Sequence, residues 1–223
     1  MRNVRRRGGS TERVGDARAN DNLASKARPD SRGGCLHVFR AEPRRFEEQG
    51  QKPNMRILET QRLLLREFVP EDVDALSLVI SDPETMRYYP AAQDRAGVAE
   101  WIARNRRRYS HVGHGLWAMV LKSSGDVIGD CGLTRQTVEG VEEIELGYHV
   151  RRDLWGQGYA PEAARACRDY GFARLGAKRI ISLVRIGNLP SRRVAEKVGM
   201  KLWKETIYRD LEHWVMAIQR TER

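Results

Sequence analysis

"VEEIELGYHVRRDLWGQGYAPEAAR", Val141 to Arg165, is the stretch whose reading decides the fold. Its first ten residues alternate. Ile144, Leu146, Tyr148 and Val150 fall on one side of an extended chain, and Glu143, Glu145, Gly147 and His149 on the other. The alternation ends at Val150. Two glycines, Gly156 and Gly158, then stand one residue apart, ahead of the helix opening Pro161-Glu162-Ala163-Ala164. A strand that gives way through glycines to a helix start is an anion-binding arrangement. The first turn of a helix leaves backbone N–H groups unpaired, its dipole adds positive potential, and glycine lets the backbone come close to a bulky anion. A dinucleotide fingerprint would need a third glycine where Pro161 stands, and an acid about 20 residues on; Ser182 and its apolar neighbours offer none. The pattern G-x-x-x-x-G-K-[ST] is absent as well. On the glycines alone, a tight turn with no ligand stays open.

Outward from this stretch the chain reads as mixed α/β. On the N-terminal side, "RLLLREF" (Arg62 to Phe68) is a short strand closed by Pro70. "PEDVDALSLVISD" is helical, with Glu71, Asp72 and Asp74 in the first turn, where the dipole favours acids. "DPETMRYYP" is a break, and "AGVAEWIARNRRRYS" a second helix. Its run Arg104, Arg106, Arg107, Arg108 reads most simply as a solvated face, with a phosphate site as the alternative. Strands over Leu116 to Lys122 and Asp126 to Leu133 are joined by Ser123-Ser124-Gly125. His111-x-x-His114 has near-metal spacing but lies beside glycines with no acidic partner, which reads as a loop. On the C-terminal side a helix runs to about Leu175 with a stripe of Ala160, Ala163, Ala164, Cys167, Tyr170 and Gly171. Then come a strand at Arg179 to Ile186, a helix in "LPSRRVAEKVG", and closing strands in "KLWKETIYR" and "HWVMAIQR".

The 223 residues carry a net charge of +10, which raises a nucleic-acid reading. Residues 1–54 hold 13 Lys/Arg against 7 Asp/Glu, so more than half the excess sits in the first quarter. That segment has little apolar periodicity. It reads as a disordered basic tail, with an RNA-binding arm as the alternative, ahead of a folded domain over 55–223. No apolar run nears the roughly 20 residues that span a bilayer. Cys35, Cys131 and Cys167 are an odd number without C-x-x-C spacing, which argues against a disulfide framework and a zinc knuckle. A cytoplasmic protein with inert thiols is the expectation.

"RLLLREFVPEDVDAL", "IELGYHVRRDLWGQGYAPEA" and "GNLPSRRVAEKVGM", in that order over residues 56 to 220, resemble the GNAT N-acetyltransferase superfamily, in its RimJ/RimL-like, ribosomal-protein N-terminal acetyltransferase branch. The resemblance implies a twisted, mostly antiparallel sheet flanked by helices and splayed between the strand ending at Val150 and that of Arg179 to Ile186, with acetyl-CoA in the splay. It implies that Tyr148, His149 and Val150 pair their backbone with the pantetheine arm. Leu154, Trp155, Gly156, Gln157, Gly158, Tyr159 and Ala160 would cradle the diphosphate through main-chain N–H groups, with Trp155 packing under the loop. Asp153 stands where the superfamily often has Gln or Arg, which puts one side-chain contact in doubt. Asn188 and Ser191 match an N-x-x-S that bonds pantetheine or caps a helix, and Arg192, Arg193 and Lys197 meet a 3′-phosphate or solvent.

The implied reaction moves an acetyl group from acetyl-CoA to an amine, such as the N-terminus of a ribosomal protein. A polyamine or antibiotic acceptor, or a non-catalytic CoA-binding module, are the alternatives. The amine must lose its proton before it attacks, so a base is needed. Glu145 matches the branch's acid before x-Gly-Tyr and leads, ahead of Glu143 and His149. The superfamily's thiolate-protonating tyrosine is replaced by Ala195, leaving Ser191, then Tyr208, for that role. The acceptor would enter around Asp82 to Pro90. The expected partners are acetyl-CoA and an amine; no metal and no membrane are expected, and a homodimer is admissible.

Overall fold

The computed structural model describes residues 56–221. The expectations for residues 1–54, Cys35 included, lie outside the described residues. Eight strands are described: β1 (Arg56–Glu59), β2 (Leu63–Arg66), β3 (Leu116–Leu121), β4 (Val127–Val138), β5 (Val141–Val150), β6 (Arg179–Arg185), β7 (Lys201–Tyr208) and β8 (Leu211–Gln219). The helices are α1 (Val73–Ile80), α2 (Arg95–Val112), α3 (Tyr159–Ala173) and α4 (Leu189–Lys197). The strands form one sheet in the order β1-β2-β3-β4-β5-β6-β8-β7. Every neighbouring pair is antiparallel except β5 and β6, which run parallel.

That one parallel pair positions the site. β5 and β6 are in register only at Ile144↔Ile180 and Glu145↔Ile181, and beyond Glu145 they part. On the other side β5 stays paired with β4 along its whole length, from Val141↔Val138 to Val150↔Gly129. Half of β5 is thus an open edge inside the sheet. The two faces are covered by different helices. α1 and α2 pack on the face that carries Asp130 and His149, where the Trp101 indole N–H donates to Asp130. α3 and α4 share the opposite face, tied by Arg165 and Arg168 to the carbonyls of Lys197 and Val198.

Sandwiching explains why β4 is buried without interruption from Val127 to Thr134. Leu63, Leu65, Trp117, Met119, Leu133, Leu146 and Ile180 are wholly buried in one core. Truncating one of these leucines to alanine costs about 2–5 kcal/mol. The small stripe of α3 works as expected. A Cβ on Gly171 would lie 2.7 Å from Ile180 Cδ1 and 3.0 Å from Leu133 Cδ1, so the helix approaches the sheet closely there. Cys131 and Cys167 are free and buried together in this layer.

Four readings change. β1 was not expected; it has four residues with exposed ends, too short to show an alternation. β4 runs five residues past Leu133, because polar Thr134 to Thr137 pair their backbone with β5. The arginine run is not uniformly solvated. Arg106 and Arg107 are exposed, but Arg104 and Arg108 are half-buried, with Arg104 over the Trp101 ring at 5.0 Å. His111 belongs to the last turn of α2 rather than to a loop.

Candidate active site

Between β5 and α3 the chain makes a 3₁₀ turn over Arg152–Leu154 and then passes through the two glycines. Gly156 has φ +78° and Gly158 φ +87°, left-handed conformations that cost other residues strain. Gly158 is the N-cap of α3. Among the described residues no acceptor meets the main-chain N–H of Gly156, Gln157, Gly158, Tyr159 or Ala160. Five consecutive free donors at a helix N-terminus make a row of the kind suited to cradle an anion. Of the expected span Leu154 to Ala160, two N–H groups are not free. The Leu154 and Trp155 N–H groups are consumed by the Arg151 and Arg152 carbonyls, at 3.0 and 3.1 Å.

The cradle is clamped from the far side of the sheet. Glu162 accepts from Thr60 Oγ1 at 2.6 Å, from the Arg62 N–H at 2.8 Å and from Arg62 Nε at 2.7 Å. Arg62 Nη1 also donates to the Gln157 carbonyl at 3.0 Å, and its guanidinium lies 4.3 Å from the Tyr159 ring centre. Burial alone would raise the Glu162 carboxyl, but these Thr60 and Arg62 bonds hold it below its usual value. The Trp155 indole N–H donates to the Val150 carbonyl at 2.7 Å and staples the loop to the strand end, but the ring is exposed rather than packed beneath the loop as expected. That bond engages the Val150 carbonyl, and the Arg151 N–H goes to Ile128 on β4, so by the alternation of the ladder His149 also turns its main chain to β4; the open part of the edge is the main chain at Tyr148, and the expected pairing through His149 is not available. Asp153 pairs with Arg151 at 2.7 Å. An open groove of ≈ 520 Å³ between α1 and residues 151–153 adjoins the loop, but neither loop glycine lines it.

Glu145 sits at the last paired position of β5 and β6. Its carboxylate accepts from Gln136 Nε2 at 2.9 Å and Thr134 Oγ1 at 3.2 Å, and from the Leu183 N–H. Burial pushes its carboxyl up, and those three hydrogen bonds only partly offset this. Gly147, next on the same face, has no side chain; a Cβ there would meet only Leu116 Cδ2, at 3.3 Å. The floor between Glu145 and His149 is therefore bare. Glu143 is turned away in a buried pair with Arg179.

On the opposite face the Tyr148 hydroxyl crosses to α4. It donates to the Ser191 carbonyl at 2.8 Å and lies 3.2 Å from Ser191 Oγ. Burial pushes its pKa up to about 12, against hydrogen bonds with Ser191 and Ser182. Asn188 Oδ1 accepts the Ser191 N–H at 3.2 Å and so caps α4. Arg192 is paired with Glu196 at 2.9 Å. Tyr208 donates to Gln136 at 2.6 Å, which links it to Glu145 rather than to the splay. Loop 82–90 lies over the open end: the Tyr88 hydroxyl donates to the Gly187 carbonyl at 3.1 Å, and that of Tyr89 lies 2.7 Å from His149 Nε2. The sequence pattern did not single out Tyr148's hydroxyl, Tyr89 or the Glu162 clamp, because each depends on a partner far along the chain.

Comparisons agree with this geometry. The family profile described as "Acetyltransferase (GNAT) domain" matches residues 62–201. YkkB of Bacillus subtilis is 40% identical over 144 residues, 64% of this chain and 84% of that protein. The N-acetyltransferase p20 of Bacillus licheniformis, itself uncharacterized, is 32% identical over 160 residues, 71% and 88% of the two. An acetyltransferase structure from Agrobacterium tumefaciens is 26% identical with a TM-score of 0.66, covering 78% of this chain and all of that one. The fold is also that of Mycobacterium smegmatis RimJ in complex with CoA-disulfide, at 24% identity and TM-score 0.57 over 70% and 81%. Among the described residues no helix is long and apolar enough to cross a membrane. The parted strands, the glycine cradle and the matches converge: this chain belongs to the GNAT acetyltransferase family and is an acetyl-CoA-dependent N-acetyltransferase.

Proposed function

We propose that the enzyme acetylates the free N-terminal amine of a protein or peptide, with acetyl-CoA along the β5 edge and its diphosphate on the N–H groups of Gly156 to Ala160. The observation that carries the placement is the row of five unpaired donors where β5 and β6 have parted. The acceptor amine comes over the bare floor at Gly147. Glu145 takes the proton of the incoming ammonium, since burial raises its carboxyl toward the range where a base works near neutrality. An α-amino group, with an ordinary pKa of about 7.7–8.0, needs less help than a lysine-like amine at about 10.4. The amine then attacks the thioester carbonyl, and the Tyr148 hydroxyl is placed across the strand to protonate the leaving sulfur. The RimJ/RimL-like motifs support the N-terminal acceptor.

The test is thiol release from acetyl-CoA with a panel of amines. Peptides with free N-termini should be turned over at higher kcat/KM than polyamines or aminoglycosides. Preference for a polyamine or an aminoglycoside would assign a small-molecule acceptor and overturn the peptide reading.

A further inference from the structure

The face that receives the acceptor holds a second set of proton-handling groups. Asp130, on β4, is wholly buried and stands opposite His149 in the strand register. Its Oδ1 lies 2.7 Å from His149 Nδ1, and its Oδ2 accepts the Trp101 indole N–H at 2.9 Å. His149 is 8% exposed, and its Nε2 lies 2.7 Å from the Tyr89 hydroxyl. The imidazole is fixed by rings on both sides, Tyr89 at 5.1 Å and Trp101 edge-on at 5.6 Å. Tyr89 is 43% exposed, so its ring reaches the surface of loop 82–90 while its hydroxyl points inward.

The donors fix the direction of the chain. An indole N–H can only donate, so Asp130 presents an acceptor to Trp101. The Asp130 carboxylate accepts a hydrogen bond from His149 Nδ1–H, which leaves Nε2 as the acceptor for the Tyr89 hydroxyl. This is the base–orienter logic of a hydrolase triad, with a tyrosine in the outer position.

We propose that Tyr89 is a catalytic residue that takes the second proton of the acceptor, with His149 and Asp130 acting through it. This rests on the acetyl-transfer reading above. Acetylating an ammonium removes two protons from nitrogen. Glu145 accepts the first and passes it to solvent. When the neutral amine has attacked, the new C–N bond leaves a positive nitrogen. Its proton moves to the Tyr89 oxygen as the Tyr89 proton moves to His149 Nε2, giving an imidazolium beside Asp130. The C–S bond breaks as the Tyr148 hydroxyl gives its proton to the departing thiolate; Tyr148 then regains a proton from solvent, and the imidazolium releases its own to solvent through the Tyr89 hydroxyl. The amide and the free thiol are the products, and the groups regain their starting states. Burial first, then Glu145 on β5, Asp130 on β4 and Tyr148 on β5, push the Tyr89 hydroxyl up, so its proton leaves only in concert with the arrival of another. Arg104 and Arg108 flank them on α2, with Arg209 after β7.

The experiment pairs kinetics with a spectroscopic readout on the full chain. Tyr89→Phe removes only an oxygen at a part-exposed ring and should lower kcat about 10²-fold, with acetyl-CoA affinity and acceptor KM nearly unchanged. His149→Gln should do the same, and the double variant should fall little further, because the groups act as one unit. In ¹⁵N NMR at neutral pH His149 should carry its proton on Nδ1, and Asp130→Asn should move it to Nε2. Wild-type kcat in Tyr89→Phe, additive losses in the double variant, or an Nε2–H tautomer in the wild-type protein would overturn the relay while leaving acetyl transfer intact. Absence of thiol release by the wild-type protein with every amine would instead overturn the transfer reading, and the relay with it.

Discussion

The two halves of the site are built by different means. On the side proposed for the cofactor the free groups are backbone, five N–H donors in one short loop, and side chains such as Arg62, Glu162 and Trp155 hold that loop. On the acceptor side the groups are side chains brought together from loop 82–90, α2, β4 and β5. A backbone site can be written in ten consecutive residues. A side-chain site needs the whole fold, so it changes with any of four elements. The contrast also suits the chemistry, since the donor molecule is constant and the acceptor varies.

The largest effect should come from the acceptor side. Glu145→Gln should lower kcat about 10²-fold or more at pH 7, with little change in acetyl-CoA affinity, and higher pH should restore part of the loss. A raised acceptor KM with kcat intact would make Glu145 a binding group instead. In the wild-type enzyme kcat should fall as pH drops through the raised Glu145 pKa, because the base is then protonated. A flat acid limb would remove Glu145 from that role.

The clamp offers a sharper contrast, because it should touch only the cofactor side. Glu162→Ala should cost about 1–2 kcal/mol of stability through its lost bonds to Thr60 and Arg62, read as a lower thermal midpoint. It should weaken acetyl-CoA binding and leave acceptor KM unchanged. The sign of the pH effect follows from the lowered folded-state pKa of Glu162. The clamp's contribution is present above the ordinary carboxylate range and is lost as pH falls through the folded value. Loss of acetyl-CoA affinity on acidification that persists in Glu162→Ala would place the cause elsewhere.

The smallest effect should come from outside both halves. The buried core of the described residues begins in β2, with the partly buried Ile57 and Leu58 of β1 packed against it, and ends in β8. A chain starting at Met55 should therefore keep its thermal midpoint within a few degrees and its acetyl-CoA affinity unchanged, as checked by scanning calorimetry and titration. A large fall in either would show that residues 1–54 contribute to the folded domain.

What could be read in advance follows the same divide. The alternation of Val141 to Val150 placed β5 at its observed ends, and the glycine pair marked the left-handed turn that opens α3, since both signals are local. Which loop N–H groups are free depended on the 3₁₀ turn that consumes those of Leu154 and Trp155, and the sequence shows no mark of that turn. The position of Glu145 was legible through its place in the strand; its burial and its bonds to Thr134 and Gln136 were not. Tyr89 was not, because only the docking of loop 82–90 on His149, 60 residues on, gives its hydroxyl a partner. Asp130 sat in an apolar run whose burial on both faces hid its role.

The central claim is that the loop backbone holds the diphosphate of acetyl-CoA, and one titration tests it most directly. Wild-type protein and Gly158→Val are each titrated with acetyl-CoA and with acetyl-pantetheine, which lacks the diphosphate. A valine forced to φ +87° should cost about 1–3 kcal/mol at the cradle. At about 1.4 kcal/mol per decade, that is roughly 5- to 150-fold in acetyl-CoA affinity. Acetyl-pantetheine should bind both proteins equally. An unchanged acetyl-CoA affinity, or an equal loss for the two ligands, would contradict the account.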